Sequence, residues 1–156
     1  MYKHHRVLLG VAAGAVMAAL SFGAAAQPIT LKLHHFLGPK SPAQVKMLAP
    51  WAERVEKSSG GKVKIELYPS MSLGGKPPQL INQVRDGVVD IVWTVNGYTA
   101  NLFPRTEVFE LPFVYVNNPS ATNLAMRAMF NKYLKPEYKG VHVLFLHVHQ
   151  GQGIQK

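Results

Sequence analysis

The stretch "DIVWTVNGYTANLFP", residues 90–104, decides the fold, because it joins an apolar strand to a loop of unusual composition. The whole apolar run, "VVDIVWTV" (residues 88–95), has apolar side chains at positions that would face both sides of a sheet. Such a pattern is typical of a central strand in a parallel sheet. The chain then turns into Asn96, Gly97 and Tyr98, which are polar, flexible and aromatic in succession.

The rest of the sequence alternates predicted strands and helices around this run. Strands are predicted over 27–35, 62–68, 88–95 and 141–148, and helices over 42–57, 77–86 and 119–135. Strands that alternate with helices indicate an α/β fold, with a mostly parallel sheet flanked by helices. The order therefore predicts one α/β unit between residues 27 and 156.

For two of the predicted helices, the sequence also predicts where they begin, and for one of them which residues form its apolar face. Ser41 is predicted to cap the first helix, with Gln44 completing a reciprocal capping box. Asn118 and Pro119 are predicted to begin the third helix. Its buried face is predicted to consist of Leu124, Ala125, Ala128, Met129 and Tyr133.

The first 26 residues have the layout of a secretory signal peptide. A short basic segment, "MYKHHR", precedes the apolar run "VLLGVAAGAVMAALSFGA" and three alanines, Ala24 to Ala26. This layout predicts cleavage before Gln27 and export to a bacterial periplasm. The alternative is an uncleaved membrane anchor, since the apolar run is nearly long enough to cross a bilayer.

The charge and cysteine content narrow the possible functions. The chain has 156 residues, no cysteine and a formal net charge of +9. Removal of the predicted signal peptide leaves 15 basic and 8 acidic residues, a net charge of +7. The basic residues are scattered and form no nucleic-acid-binding motif, so we expect no nucleic acid partner. The positive field would instead attract small acids, and disulfide or thiol chemistry is excluded.

The predicted ligand site lies at one edge of the sheet. In open α/β sheets, ligands bind beyond the carboxyl ends of the strands. Two loops are expected there, and they supply the candidate ligand-binding residues His35, Phe36, Trp93, Asn96, Gly97 and Tyr98. Aromatic rings provide flat apolar walls, and glycine allows the backbone to approach a ligand. The alternative is an aromatic plug that covers the edge of the sheet.

The order and spacing of several motifs resemble one transporter family. These motifs are "ITLKLHHF", "SPAQ", "WAERVEKSSGGKVKIELYPSMSLGG", "QLINQVRDGVVDIVW" and "FPRTEVFELPFVY". Together they resemble the solute-binding proteins of tripartite ATP-independent periplasmic (TRAP) transporters, known as the DctP family. The resemblance implies a two-lobed protein that captures a small organic acid and delivers it to a membrane permease driven by an ion gradient. It also implies a monomer when complete, with no cofactor and no enzymatic activity.

The chain departs from this family in two ways. It resembles the first lobe only, with a crossover towards the second lobe expected to begin within residues 119–156. Most family members also carry an arginine that clamps the ligand carboxylate, and the corresponding region here reads "HVHQGQG", residues 147–153. A further candidate is therefore an exported fragment of such a protein that has no transport function or acts only through interactions.

Three other signals have competing interpretations. Arg105 is a candidate contact for an anionic ligand, although pairing with Glu107 or Glu110 at the surface is the plainer expectation. The His147-x-His149 pair suggests a metal site only weakly, because no third ligand stands nearby in sequence, and hydrogen-bonded histidines are the plainer expectation. A periplasmic enzyme is disfavoured, since no hydrolase elbow, phosphate loop or zinc protease motif is present.

One carboxylate lies within an apolar segment of the sequence. Asp90 interrupts the apolar run of the third strand, and a buried carboxylate needs a partner. A structural hydrogen bond is expected there rather than a catalytic role, so no catalytic residue and no metal ligand is assigned.

Overall fold

The computed structural model describes residues 27–111, 113–114 and 118–148. The predicted signal peptide, its cleavage site, His149 and the "GQG" region lie outside the described residues. In the described part of the chain, no helix has both the length and the apolar character needed to cross a membrane.

The described residues form a series of short strands and helices. The first half contains β1 (Ile29–His35), a π-helical turn (Gln44–Leu48) that leads into α1 (Ala49–Ser58), β2 (Val63–Tyr68), a 3-10 turn (Pro77–Gln79) that leads into α2 (Leu80–Arg85), and β3 (Ile91–Trp93). The second half contains a 3-10 turn (Asn96–Thr99), α3 (Pro104–Glu107) with a 3-10 continuation (Val108–Glu110), and α4 (Pro119–Met129), followed by a π-helical turn (Phe130–Leu134) and a 3-10 turn (Lys135–Glu137).

The three strands form a parallel sheet with the order β2-β1-β3. Ile29 lies opposite Val63, and Leu33 lies opposite Ile91. The predicted α/β fold with a parallel sheet and flanking helices is confirmed. The prediction that the third strand is central is wrong for the described residues, because β1 occupies the central position.

β3 is apolar on both faces because it separates two hydrophobic clusters. Ile91 and Trp93 pack on a first cluster, which α1 covers and whose buried members are Leu33, Leu48, Ala52 and Ile65. Val92 faces the other way and packs on a second cluster, whose buried members are Ile81, Phe103, Leu134 and Tyr138. Apolar character on both faces therefore reports contact with two layers and not a central position in the sheet.

The predicted fourth strand, residues 141–148, does not form in the described residues. This segment lies along the second cluster, where Val141, Val143 and Leu146 pack. Its end is held by a side chain of α4: the Val148 amide donates to Asn123 Oδ1 at 2.6 Å, and Asn123 Nδ2 donates to the Val148 carbonyl at 3.4 Å. An amide side chain thus satisfies backbone groups that a neighbouring strand would satisfy in a sheet.

The start of α4 is confirmed, but its predicted buried face is wrong. Asn118 Oδ1 accepts a hydrogen bond from the Ala121 amide at 3.0 Å, as expected of an N-cap. The buried side chains are instead Met126 and Leu134. The five residues predicted to be buried are all exposed: Leu124, Ala125, Ala128, Met129 and Tyr133. The helix packs through a different side than the one that its apolar residues indicate.

The predicted capping box at the first helix is half correct. Ser41 Oγ accepts a hydrogen bond from the Gln44 amide at 3.3 Å, so Ser41 does cap. The Ser41 amide donates instead to the Gly38 carbonyl at 3.0 Å. The Gln44 side chain turns towards β1 and accepts a hydrogen bond from His35, which links the start of the helix to the end of the central strand.

Candidate ligand-binding site

A large cleft runs along β3 and beside part of β1, and it continues to the loop after β3. Its volume is about 1360 Å³, above the roughly 300–1,000 Å³ typical of small-molecule pockets. One wall comes from the sheet and the loop after β3, and the opposite wall comes from residues 106–111, Phe113 and residues 138–148. Because most of this lining is apolar, the cleft suits a ligand with an apolar body.

Three of the predicted site residues form an aromatic wall in this cleft. The Phe36 and Trp93 rings are stacked, with centroids 5.6 Å apart and planes 17° apart. The Tyr98 ring meets Phe36 edge-on, with centroids 5.4 Å apart. All three line the cleft. We refer to Phe36, Trp93 and Tyr98 as the aromatic wall.

Trp93 connects the aromatic wall to the opposite side of the cleft. Its indole Nε1 donates a hydrogen bond to His147 Nε2 at 3.2 Å, and the two rings lie nearly parallel with centroids 5.9 Å apart. The ring also packs on the first hydrophobic cluster, and His35 meets its edge. Trp93 therefore serves both the cleft and the core.

His35 lies behind the aromatic wall and not in the cleft. Its side chain is fully buried, and Nε2 donates to Gln44 Oε1 at 2.6 Å. Within the described residues, its buried Nδ1 has no hydrogen-bond partner. Burial lowers the pKa of His35, and the hydrogen bond to Gln44 only partly opposes this effect. His35 is therefore neutral and supports Trp93 from behind the aromatic wall.

The polar loop after β3 is held by a chain of hydrogen bonds. Asn96 Nδ2 donates to the Tyr138 hydroxyl at 2.8 Å, and that hydroxyl donates to Thr106 Oγ1 at 3.1 Å. Thr106 Oγ1 donates in turn to Glu137 Oε2 at 3.0 Å. Burial raises the pKa of Tyr138, so the hydroxyl remains protonated and able to donate. This chain fixes Asn96 at the cleft lining.

Gly97 presents its backbone to an acidic side chain. The Gly97 amide donates to Glu110 Oε1 at 3.1 Å, and a Cβ at this position would collide with the Glu110 carboxylate. The close approach of a side chain to the backbone therefore requires glycine here, as long as Glu110 keeps this position. Both residues line the cleft.

Arg105 is not brought to the cleft. Its Nη1 donates to the Tyr133 carbonyl at 2.9 Å, and its Nε lies 4.0 Å from Glu137 Oε1. The expected surface pairing with Glu107 or Glu110 is wrong, because those carboxylates accept hydrogen bonds from backbone amides. The guanidinium group faces solvent, with its side chain 60% exposed.

The described lining contains acids and histidines but no lysine or arginine. One of the acids, Asp90, is exposed and not buried, but it does make the expected structural hydrogen bond, which it accepts from the Lys32 amide at 2.8 Å. The other acid is Glu110. In the described part of the chain, no group of three His, Asp or Glu side chains is arranged to hold a metal ion.

Sequence reasoning did not assign three residues that shape the site. Glu110, Tyr138 and His147 contact Gly97, Asn96 and Trp93, respectively. Each pair is separated by 13 to 54 positions, so no local pattern reveals it. For His147 the sequence predicts a hydrogen-bonded histidine in preference to a metal ligand, and the bond from Trp93 agrees with this, but the partner could not be predicted.

The sequence as a whole matches a known family of binding proteins. The family model for bacterial extracellular solute-binding protein, family 7 (DctP), matches residues 33–154. The chain belongs to this family. Its members are periplasmic solute-binding proteins of TRAP transporters and not enzymes, so the predicted family is confirmed.

Two solved structures of TRAP solute-binding proteins resemble this chain. The protein from Rhodoferax ferrireducens, in complex with copurified benzoate, is 48% identical with a TM-score of 0.74 and covers 78% of this chain. A marine metagenome protein specific for aromatic acid ligands, in complex with 3-hydroxybenzoate, is 44% identical with a TM-score of 0.76 and covers 80%. This chain covers 38% and 39% of those chains, respectively.

A curated relative gives the same proportion. The C4-dicarboxylate-binding periplasmic protein DctP of Rhodobacter capsulatus is 33% identical over 113 residues, which is 70% of this chain and 33% of the relative. The chain thus spans less than two fifths of the length of these DctP-family relatives.

Proposed function

We propose that this chain supplies one wall of a site that captures a small aromatic carboxylate in the periplasm, for delivery to a TRAP permease and uptake driven by an ion gradient. The aromatic wall is the observation that carries the proposal. Phe36 and Trp93 stack at 5.6 Å, beside an apolar cleft that runs along β3 to the loop after it. A planar ring can lie against such a wall with offset or edge-to-face geometry.

The roles of the other predicted site residues follow from their contacts. Asn96 and Gly97 lie in the lining next to Tyr98, where an amide and a backbone group can orient a ligand. His35 is assigned a supporting role behind Trp93, because it is buried. Arg105 is left out of the proposed contacts, because Tyr133 and Glu137 hold it outside the cleft.

The relatives support an aromatic ligand in preference to an aliphatic one. The two similar structures, at 48% and 44% identity, contain benzoate and 3-hydroxybenzoate. The relative that binds C4-dicarboxylates is 33% identical. An aromatic acid also fits the predominantly apolar lining better than a short dicarboxylate, which has no large apolar surface to bury.

Calorimetric titration of the exported protein, expressed as its gene encodes it, tests the proposal. Benzoate and 3-hydroxybenzoate are expected to bind, and succinate is expected to bind at least about tenfold more weakly, a difference of ~1.4 kcal/mol. Phe36→Ala should weaken benzoate binding by about 1–3 kcal/mol, as the loss of an aromatic anchor usually does.

The matched control is Tyr133→Ala, which removes an aromatic ring that is exposed on the surface and does not line the cleft. This variant should bind benzoate as the unmodified protein does. Preference for succinate, or equal effects of the two variants on benzoate, would contradict the proposed function.

A further inference from the structure

Glu110 stands out because it places a negative charge in a cleft proposed to hold an anion. The other acid of the described lining, Asp90, is engaged with the Lys32 amide at the strand end. Glu110 lies at the polar loop, where its carboxylate accepts a hydrogen bond from the Gly97 amide at 3.1 Å. No lysine or arginine of the described lining balances this charge.

The contacts of Glu110 show which side of the cleft its charge occupies relative to the aromatic wall. Gly97 immediately precedes Tyr98, whose ring meets Phe36 at 5.4 Å. The carboxylate is held close enough to Gly97 that a Cβ there would collide with it. Its charge also contributes to the raised pKa of Tyr138, after the larger effect of burial. The carboxylate therefore borders the side of the cleft that the loop after β3 forms.

We infer that Glu110 is a specificity residue that selects aromatic monocarboxylates and rejects aromatic dicarboxylates. This inference rests on the proposed function. A ring lying on the aromatic wall turns one end towards Glu110 and the Gly97 amide. That end can be a hydrogen or a hydroxyl group, which donates to the Glu110 carboxylate. A second carboxylate there would meet a like charge and would find the Gly97 amide already occupied.

The expected selectivity follows from Coulomb repulsion between two carboxylates in a partly hydrated cleft. At separations of a few ångströms and an effective dielectric between that of a protein surface and that of water, the penalty corresponds to about tenfold in affinity. The carboxylate at the other end of the ligand must be neutralised by groups outside the described lining, since the described lining has no fixed positive charge.

The test compares benzoate, 3-hydroxybenzoate and isophthalate, which share one ring and differ only in the second substituent. The exported protein should bind the first two at least about tenfold more tightly than isophthalate. Glu110→Gln keeps an amide oxygen for the Gly97 amide and removes the charge. It should raise the affinity for isophthalate relative to that for benzoate about tenfold.

Glu107→Gln is the matched control, because Glu107 lies three positions earlier and accepts hydrogen bonds from Asn101 and Phe103 outside the cleft. This variant should leave the affinities for benzoate and isophthalate unchanged. A second measurement needs no variant. Added salt screens the repulsion, so it should reduce the difference in affinity between benzoate and isophthalate in the unmodified protein.

The possible outcomes distinguish a failure of the role of Glu110 from a failure of the proposed function. Equal binding of benzoate and isophthalate by the unmodified protein, or an unchanged ratio in Glu110→Gln, would overturn the role of Glu110 and leave the proposed function standing. So would a loss of benzoate binding in Glu110→Gln at an unchanged melting temperature. If the unmodified protein binds none of the three acids, the proposed function fails and this inference fails with it.

Discussion

Trp93→Ala is expected to lower both the stability of the fold and the affinity for ligand. The indole packs on the first hydrophobic cluster, stacks on Phe36 and donates a hydrogen bond to His147. Truncation of a fully buried tryptophan costs about 3–5 kcal/mol of stability. Because Trp93 is only half-buried, about 2–3 kcal/mol is expected, of which the hydrogen bond accounts for about 0.5–1.5 kcal/mol.

The effect on binding is separate from the effect on stability. Loss of the ring should weaken benzoate binding by about 1–3 kcal/mol, or roughly 5- to 150-fold in Kd. Trp93→Phe separates the contributions, because phenylalanine keeps a ring against Phe36 but lacks the indole N–H that reaches His147. It should lose about 1 kcal/mol of stability and retain most of the affinity.

Two measurements on the same samples are required. Urea unfolding followed by circular dichroism gives the free energy of unfolding, and calorimetric titration with benzoate at a temperature below the unfolding transition gives Kd. If Trp93→Ala lowers the free energy of unfolding but leaves Kd unchanged, Trp93 is a packing residue and the aromatic wall is not a ligand surface. If neither the free energy of unfolding nor Kd changes, Trp93 does not make the contacts described above.

Two further predictions concern pH and self-association. Burial lowers the pKa of His35, so the stability that its neutral form provides is present above the unfolded pKa of about 6.5. This stability is lost as the pH falls through the folded pKa, with a slope of at most ~1.4 kcal/mol per pH unit. Urea unfolding of His35→Asn should lack this loss, whereas the same change at exposed His142 should retain it. The isolated 27–156 chain should self-associate, because the outer edge of β3 is unpaired among the described strands and Leu124, Leu144 and Phe113 are exposed; a monodisperse monomer in light scattering would contradict this expectation.

The sequence predicts the local elements well, because the relevant signals are themselves local. Alternation of apolar and polar side chains marks β1 and β2. The Asn118 cap and the Pro119 that follows it mark the start of α4. At each of these places, a preference of the backbone or a neighbouring side chain is sufficient to set the structure.

The sequence fails where the structure depends on which elements meet. Apolar character on both faces of β3 predicts a central position, but it reflects contact with two clusters. Residues 141–148 are apolar enough for a strand, yet Asn123 and the second cluster hold them without one. Periodicity reports that a side chain meets apolar surface, and it does not report whether the backbone has a neighbouring strand to pair with.

The candidate site shows the same division between local and distant information. The segments that follow β1 and β3 are predicted to meet at one edge of the sheet, and Phe36, Trp93 and Tyr98 do contact one another. The sequence does not reveal the burial of His35, because this burial depends on Gln44, whose side chain is predicted to complete a cap. A histidine at a strand end looks the same in sequence whether a ligand or a helix lies beyond it.

Trp93 explains why the fold and the proposed site are determined by the same short strand. One face of its ring belongs to the aromatic wall, and its edge is supported by buried His35. Its indole nitrogen reaches His147 on the segment that forms the opposite wall. A ligand that rests on this ring would therefore contact a surface whose position is set by the core. Such a wall loses little conformational entropy on binding, which is the condition under which an aromatic contact contributes most to affinity.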